Sequence, residues 1–236
     1  MSISMNNIDI SDIQNVANIH DINIDLKNRE LFLHSYTTCE GEEPGVDYRS
    51  AINLQKNLRI LEQQNSDPIL IHMHLPGGDW ADCLGIYDTI KHCKSKTIIL
   101  AYAKVESSSS VILQAADLRI LMPNTHVLLH YGSIYLDTEH KAATSNLRWS
   151  ERESEKMLEI FTEKCVQSPI AIEKKWKKMM TKKHIQSQLS NYSDWIMSSD
   201  EAVYYGFADG ILGSSHYPTI HSLKKPKRRR KNIDDN

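Results

Sequence analysis

Long apolar runs are missing from this chain. Its richest stretches, Ile69-Leu70-Ile71-His72-Met73-His74 and Thr97-Ile98-Ile99-Leu100-Ala101-Tyr102, fall far short of the ~18 residues a membrane-spanning helix requires, so no membrane role is expected. Cysteine is scarce. The four present (Cys39, Cys83, Cys93, Cys165) include no Cys-x-x-Cys pair, which argues against a disulfide framework and against a zinc site. No metal and no cofactor are expected, and the usage suits a reducing, cytoplasmic setting. Residues Met1–Asn28 lack a basic start followed by an apolar run, so no signal peptide is expected. Neither sign of charge dominates. The 28 Lys and Arg residues against 30 Asp and Glu leave a formal net charge of −2, and the chain as a whole offers no electrostatic case for nucleic acid. No internal repeat is visible.

What remains is an ordinary globular composition, 40% hydrophobic and 25% charged over 236 residues, enough for one sizeable core. Residues 1–28 are polar without a clear period and read as a mobile arm. Glu30–His34 reads as a first strand, and Cys39–Tyr48, with two glycines, a proline and four acids, as a loop. Ala51, Leu54, Leu58 and Leu61 recur at helical spacing, as do Cys83, Ile86, Tyr87 and Ile90 within 80–93. Strands are expected at 69–74, 97–102, 119–122, 126–130 and 207–212, with a helix at 109–116. Strands alternating with helices predict a mostly parallel α/β sheet. Downstream, 147–166 reads as a long charged helix and Ser168-Pro169 as the cap of a second one carrying Ile172, Trp176 and Met179. Residues 200–206 read as a short helix stopped by glycine, and 214–236 as a basic, disordered tail.

Four segments carry chemical interest. Pro76-Gly77-Gly78 follows a strand and precedes a helix; it is either a tight turn or a place where bare backbone N–H groups face a ligand. Ser107-Ser108-Ser109-Ser110 enters a helix. One serine suffices for an N-cap, and the run also offers a hydroxyl where a developing anion is favoured. His130 ends an apolar strand, as a packed residue or a base. Asp194 precedes an apolar stretch, as a helix cap or loop residue or as an orienting carboxylate. Together they supply nucleophile, base, orienter and oxyanion donors, the parts of a serine hydrolase.

Over about Glu30–Leu212 the chain resembles the ClpP-like serine peptidases of the ClpP/crotonase superfamily. The resemblance rests on Met73-His74-Leu75-Pro76-Gly77-Gly78, Gly85-Ile86-Tyr87-Asp88-Thr89-Ile90, Gln114-Ala115-Ala116-Asp117 with Arg119 and Pro123-Asn124, and Ser198 with Glu201-Ala202, Tyr205-Gly206 and Asp209. It implies an α/β fold of repeated ββα units over 29–213 with a protruding handle helix, in a handle region of about 137–190. It places the nucleophile on Ser107, with Ser108 one residue away as the alternative. The base falls on His130, the orienter on Asp194, and the oxyanion donors on the N–H groups of Gly78 and Ser108.

The implied function is a serine endopeptidase acting on polypeptides inside a homo-oligomeric chamber, a heptameric ring or stacked rings, with a AAA+ unfoldase as a partner. Several positions depart from the family pattern. Ala103-Lys104-Val105-Glu106-Ser107-Ser108-Ser109 replaces a glycine-bearing nucleophile segment, Leu75 replaces a serine, and only Gly132 remains of a glycine-rich strand after the histidine. Glu106 would raise the pKa of His130 if the two lie close. These departures point to a divergent, phage-type member, with a head-maturation protease or an inactive structural ring subunit as alternatives. An acyl-CoA enzyme of the crotonase type is a third reading; it does not need a Ser-His-Asp set. The basic stretch Lys224–Lys231 is either a solvated end or a contact for nucleic acid or an acidic partner.

Overall fold

A computed structural model describes residues 10–36, 45–133 and 137–225. Cys39, most of the expected 39–48 loop and the arginine-rich end beyond Lys225 lie outside them. In chain order the elements are α1 (Ile10–Ile22), β1 (Ile24–Asp25), β2 (Glu30–His34), α2 (Tyr48–Gln64), β3 (Ile69–Leu75), α3 (Trp80–Lys91), β4 (Thr97–Glu106), α4 (Ser108–Leu113) and β5 (Leu118–Leu121). They continue with β6 (His126–Leu129), α5 (His140–Cys165), α6 (Pro169–Glu173), α7 (Lys178–Asn191), β7 (Trp195–Met197), α8 (Ser199–Tyr205), β8 (Gly210–Ile211) and α9 (Ile220–Leu223).

The sheet runs β1-β2-β3-β4-β5-β8, with β6 and then β7 branching from β4. All its neighbours are parallel except β1 with β2 and β6 with β7. The branch arises within β4. Its first half, Ile98–Ala101, pairs with β5, and its end, Lys104–Glu106, pairs with β6. Ala103, at φ +53, lies between the two halves and turns the strand toward a second partner. Beyond that turn the end of β4 takes β6 as its partner on one side, while Val105 stays paired with Leu75 of β3 on the other.

Side-chain alternation explains why β3 and β4 read as unbroken apolar runs. Ile69, Ile71, Met73, Ile99 and Ala101 face the main core with α2, α3 and α5, where Leu54, Ile86 and Phe161 are buried. Leu70, Ile98, Leu100 and Ile120 face the other side, against Tyr217 and Leu223. The chain from Ser214 to Lys225 is therefore a folded cover rather than the disordered tail expected from its composition. Its Lys224 Nζ donates to Glu30 Oε1 at 2.6 Å.

The amino-terminal segment also differs from expectation. The patternless 10–28 stretch contains α1 and β1, tied back by Asn15 to Asp25 (3.0 Å) and by Asn57 to the Ile22 carbonyl. The helix anticipated after Ser168 is two helices, because Lys175 at φ +55 interrupts it. Among the described residues no helix is long and apolar enough to cross a membrane, and no group of three or more His, Cys, Asp or Glu side chains is placed to hold a metal ion.

Several motif residues meet in one buried network. Arg119 grips Asp209 through Nε (3.1 Å) and Nη2 (2.5 Å), and its Nη1 donates to Gln114 Oε1 and the Gly206 carbonyl. A bidentate guanidinium–carboxylate pair of this kind fixes geometry as well as energy. It locks β5, the end of α4 and the end of α8 together.

Candidate active site

The Pro76-Gly77-Gly78 turn leaves β3 in a shape that side chains disfavour. Gly77 has φ +100 and Gly78 φ +141, and a Cβ on Gly78 would lie 2.3 Å from the Val46 nitrogen. The turn is held from outside: Val46 N–H donates to the Gly77 carbonyl (2.5 Å) and Asp79 N–H to the Val46 carbonyl (2.8 Å). Asp79 then caps α3 by accepting from the Asp82 N–H.

Each of the four serines has a different task. Ser108 Oγ donates to the Gly78 carbonyl (3.2 Å), Ser109 Oγ to the Leu75 and Glu106 carbonyls (2.9 and 2.7 Å), and Ser110 Oγ to the Ser107 carbonyl (2.6 Å). All three are buried, so these bonds satisfy hydroxyls that would otherwise be costly to enclose. Ser107 is the exception. It occupies the N-cap place of α4 without a side-chain cap bond, and its Oγ lies 2.7 Å from His130 Nε2. Its backbone, at φ +55 and ψ −128, is a conformation that non-glycine residues avoid. The Ser107 N–H donates to the Leu128 carbonyl at 2.9 Å, which helps hold it there.

Strand pairing brings the other two groups. Parallel pairing of Glu106 with Leu128 sets the ends of β4 and β6 side by side, so Ser107 and His130 emerge together. Antiparallel pairing of Leu129 with Trp195 makes Asp194 the residue opposite His130. Asp194 is thus a loop residue leading into a strand rather than a helix cap. Its Oδ1 lies 3.2 Å from His130 Nδ1; the His130 side chain is 28% exposed and that of Asp194 54%. A tautomer with the proton on Nδ1 serves both contacts, donating to Asp194 and accepting from Ser107.

Glu106 does not reach His130. Its Oε1 is 2.6 Å from His126 Nε2, across the same β4–β6 pair. Behind the serines, Cys83 Sγ donates to the Ser108 carbonyl (3.1 Å), and burial pushes its thiol far above the ordinary range, which keeps it from competing as a nucleophile. The crevice before Ser107 has a volume of about 610 Å³ and is lined by Gly78, Ser108 and His130, and by Trp80, Trp149 and Glu153. Ser108 is the first residue of α4, where the helix itself offers its N–H no partner. The sequence reading missed Trp80, Trp149 and Glu153. Trp149 and Glu153 leave a trace in the four-residue spacing Trp149, Glu153, Met157 along the long helix; Trp80, the first residue of α3, leaves none.

The Clp protease family model matches residues 42–215. Relatives include the ATP-dependent Clp protease proteolytic subunit 2 of Pseudomonas aeruginosa, 29% identical over 182 residues, covering 75% of this chain and 81% of that protein. The proteolytic subunit of Deinococcus radiodurans is 25% identical over 170 residues, covering 71% and 76%. Among solved structures, a ClpP1 mutant from Listeria monocytogenes shares the fold at a TM-score of 0.64 and 21% identity, over 80% of this chain and 94% of that one. The family match over most of the length, together with the shared fold, makes this chain a divergent member of the Clp protease family.

Proposed function

We propose that the protein is a serine endopeptidase in which Ser107 is the nucleophile, His130 the general base and Asp194 the orienting carboxylate. The observation that carries this reading is the His130 ring, bridging Ser107 Oγ at 2.7 Å and Asp194 Oδ1 at 3.2 Å. Ser107 Oγ attacks the scissile carbonyl carbon while His130 Nε2 takes its proton. The oxyanion forms beside the N–H groups of Gly78 and Ser108. The C–N bond then breaks as His130 returns the proton to the leaving amine. Water, activated by the same imidazole, releases the acyl group as an acid and restores Ser107.

Assembly into a ring belongs to the same proposal. Leu147, Met179, Met180 and Ile196 leave large apolar side chains exposed in the single chain, surface that neighbouring subunits would cover. A half-exposed Asp194 favours a second reading, a ring subunit with little activity, because an exposed carboxylate orients its partner weakly.

A fluorophosphonate probe separates the two. Labelling mapped to Ser107, lost in Ser107→Ala and carried by a ring-sized species, is expected of the peptidase. A folded, oligomeric sample that takes no label anywhere favours the structural subunit. Label on Ser108 would move the nucleophile by one residue.

A further inference from the structure

One side of the crevice before Ser107 is a face of α5. Trp149, Glu153 and Met157 follow at intervals of four, so they stack along one helix face, and all three line the crevice. Met157 is 7% exposed and sits deep; Trp149 is 59% exposed and stands at the mouth. Trp80 of α3 adds a further apolar wall. Glu153 lies between floor and mouth. Its Oε1 accepts from the Trp149 indole N–H at 2.6 Å, which holds the carboxylate in place and leaves Oε2 unclaimed among the described residues.

The crevice contains no lysine or arginine among the described residues. The basic side chains of this stretch, Arg148, Arg152 and Lys156, line a separate groove on another face of α5. Glu153 is therefore a carboxylate in a crevice of mixed lining, apolar at Trp80, Trp149 and Met157 and neutral polar at Asn146, Ser150 and Ser154, with no lysine or arginine among the described residues to answer it.

On the peptidase reading above, we infer that this slot receives the side chain of the substrate residue whose carbonyl Ser107 attacks, and that it selects arginine or lysine there. The chemistry fits along its length. The methylene stem of such a side chain packs on Met157 and Trp80, and its cation meets Glu153 in a charge-assisted bond. Acidic residues are rejected by like charge. The substrate class is thus a polypeptide cut after a basic residue.

The test uses the full chain and matched fluorogenic peptides with arginine, citrulline, leucine or glutamate on the acyl side of the cleaved bond. Citrulline keeps the shape of arginine and removes its charge. Arginine is expected to exceed citrulline at least tenfold in kcat/KM, with glutamate slowest. Glu153→Gln, which retains an oxygen for the Trp149 bond, is expected to lower the arginine-to-citrulline ratio at least tenfold. Glu153→Arg is expected to turn the preference toward glutamate, a gain that misfolding cannot produce. Equal rates for arginine and citrulline, with Ser107 labelled by the fluorophosphonate, overturn the inference and leave the peptidase standing. No label on Ser107 and no cleavage of any peptide overturn both.

Discussion

Gly77 lies directly against Ser107: a Cβ placed on it would come within 2.7 Å of the Ser107 Cβ and 2.8 Å of the Glu106 carbonyl. Its φ of +100 is also one that side chains rarely adopt. Gly77→Ala is therefore expected to displace Ser107 from His130 and to cut the rate of fluorophosphonate labelling at least tenfold. Stability should fall by about 1–3 kcal/mol from backbone strain, read by urea unfolding. Unchanged labelling in this variant would mean that the turn tolerates a shift the packing does not suggest.

Asp194→Asn should keep the fold and lose most of the activity. An amide opposite His130 Nδ1 can donate a hydrogen and so favour the tautomer that places the proton on Nε2, where Ser107 needs an acceptor. A fall in kcat of about 100- to 10,000-fold is expected, smaller if Asp194 remains as exposed in the assembly as in the single chain. A thermal midpoint within a degree or two of the parent would separate this from unfolding.

Arg119→Met should act on the fold instead. The guanidinium is buried and holds Asp209, Gln114 and the Gly206 carbonyl. The substitution leaves Gln114 Oε1 and the Gly206 carbonyl without this donor, while Asp209, 31% exposed, keeps the Arg119 backbone N–H at 2.8 Å, so a loss of about 1–3 kcal/mol is expected. Urea unfolding measures it directly.

Deleting residues 214–236 should destabilise the protein through the far face of the sheet. Tyr217 and Leu223 are buried there against Leu70, Ile98, Leu100 and Ile120. Exposing that face forfeits about 3–6 kcal/mol, from roughly 1.5–3 kcal/mol for each large buried side chain. Dye binding to exposed apolar surface should rise as the thermal midpoint falls.

His184 should make stability sensitive to mild acid. Its ring packs against Trp176 (4.7 Å between centroids), Tyr205 (5.6 Å) and Trp195 (6.1 Å), and its Nε2 is buried without a hydrogen-bond partner among the described residues. Burial lowers its pKa below the ordinary 6.5. The unfolded chain therefore takes up the proton first as pH falls, and stability present above pH 6.5 is lost progressively down to the lowered value. The urea midpoint of the parent should drop between pH 7.5 and 5.5, and the drop should shrink in His184→Phe.

Much of this was legible in the residues because its causes are local. Apolar runs bounded by turn residues announced β3 and β4, helical spacing announced α2 and α3, and Pro76-Gly77-Gly78 announced a turn that other residues fill poorly. Elements without a local signature escaped. α1 buries no residue and so carries no core-facing period. β7 spans three residues, too few for alternation to register. The break between α6 and α7 falls on Lys175, a residue type that marks no turn.

By itself the sequence determined the parts: a serine run, a histidine, an aspartate and a glycine turn, each at the end of a recognisable segment and in an order shared with one family. Only the tertiary structure decided which serine faces the histidine. The choice rests on where the Gly78, Leu75 and Glu106 carbonyls stand to take the hydroxyls of Ser108 and Ser109, two of them supplied by a different strand and turn. It likewise set Asp194 against His130 through the antiparallel pairing of β6 and β7, and turned Glu106 toward His126. Hydrogen-bond register between strands far apart in the chain made each of these decisions. Register is a property of the assembled sheet, and no segment carries it alone.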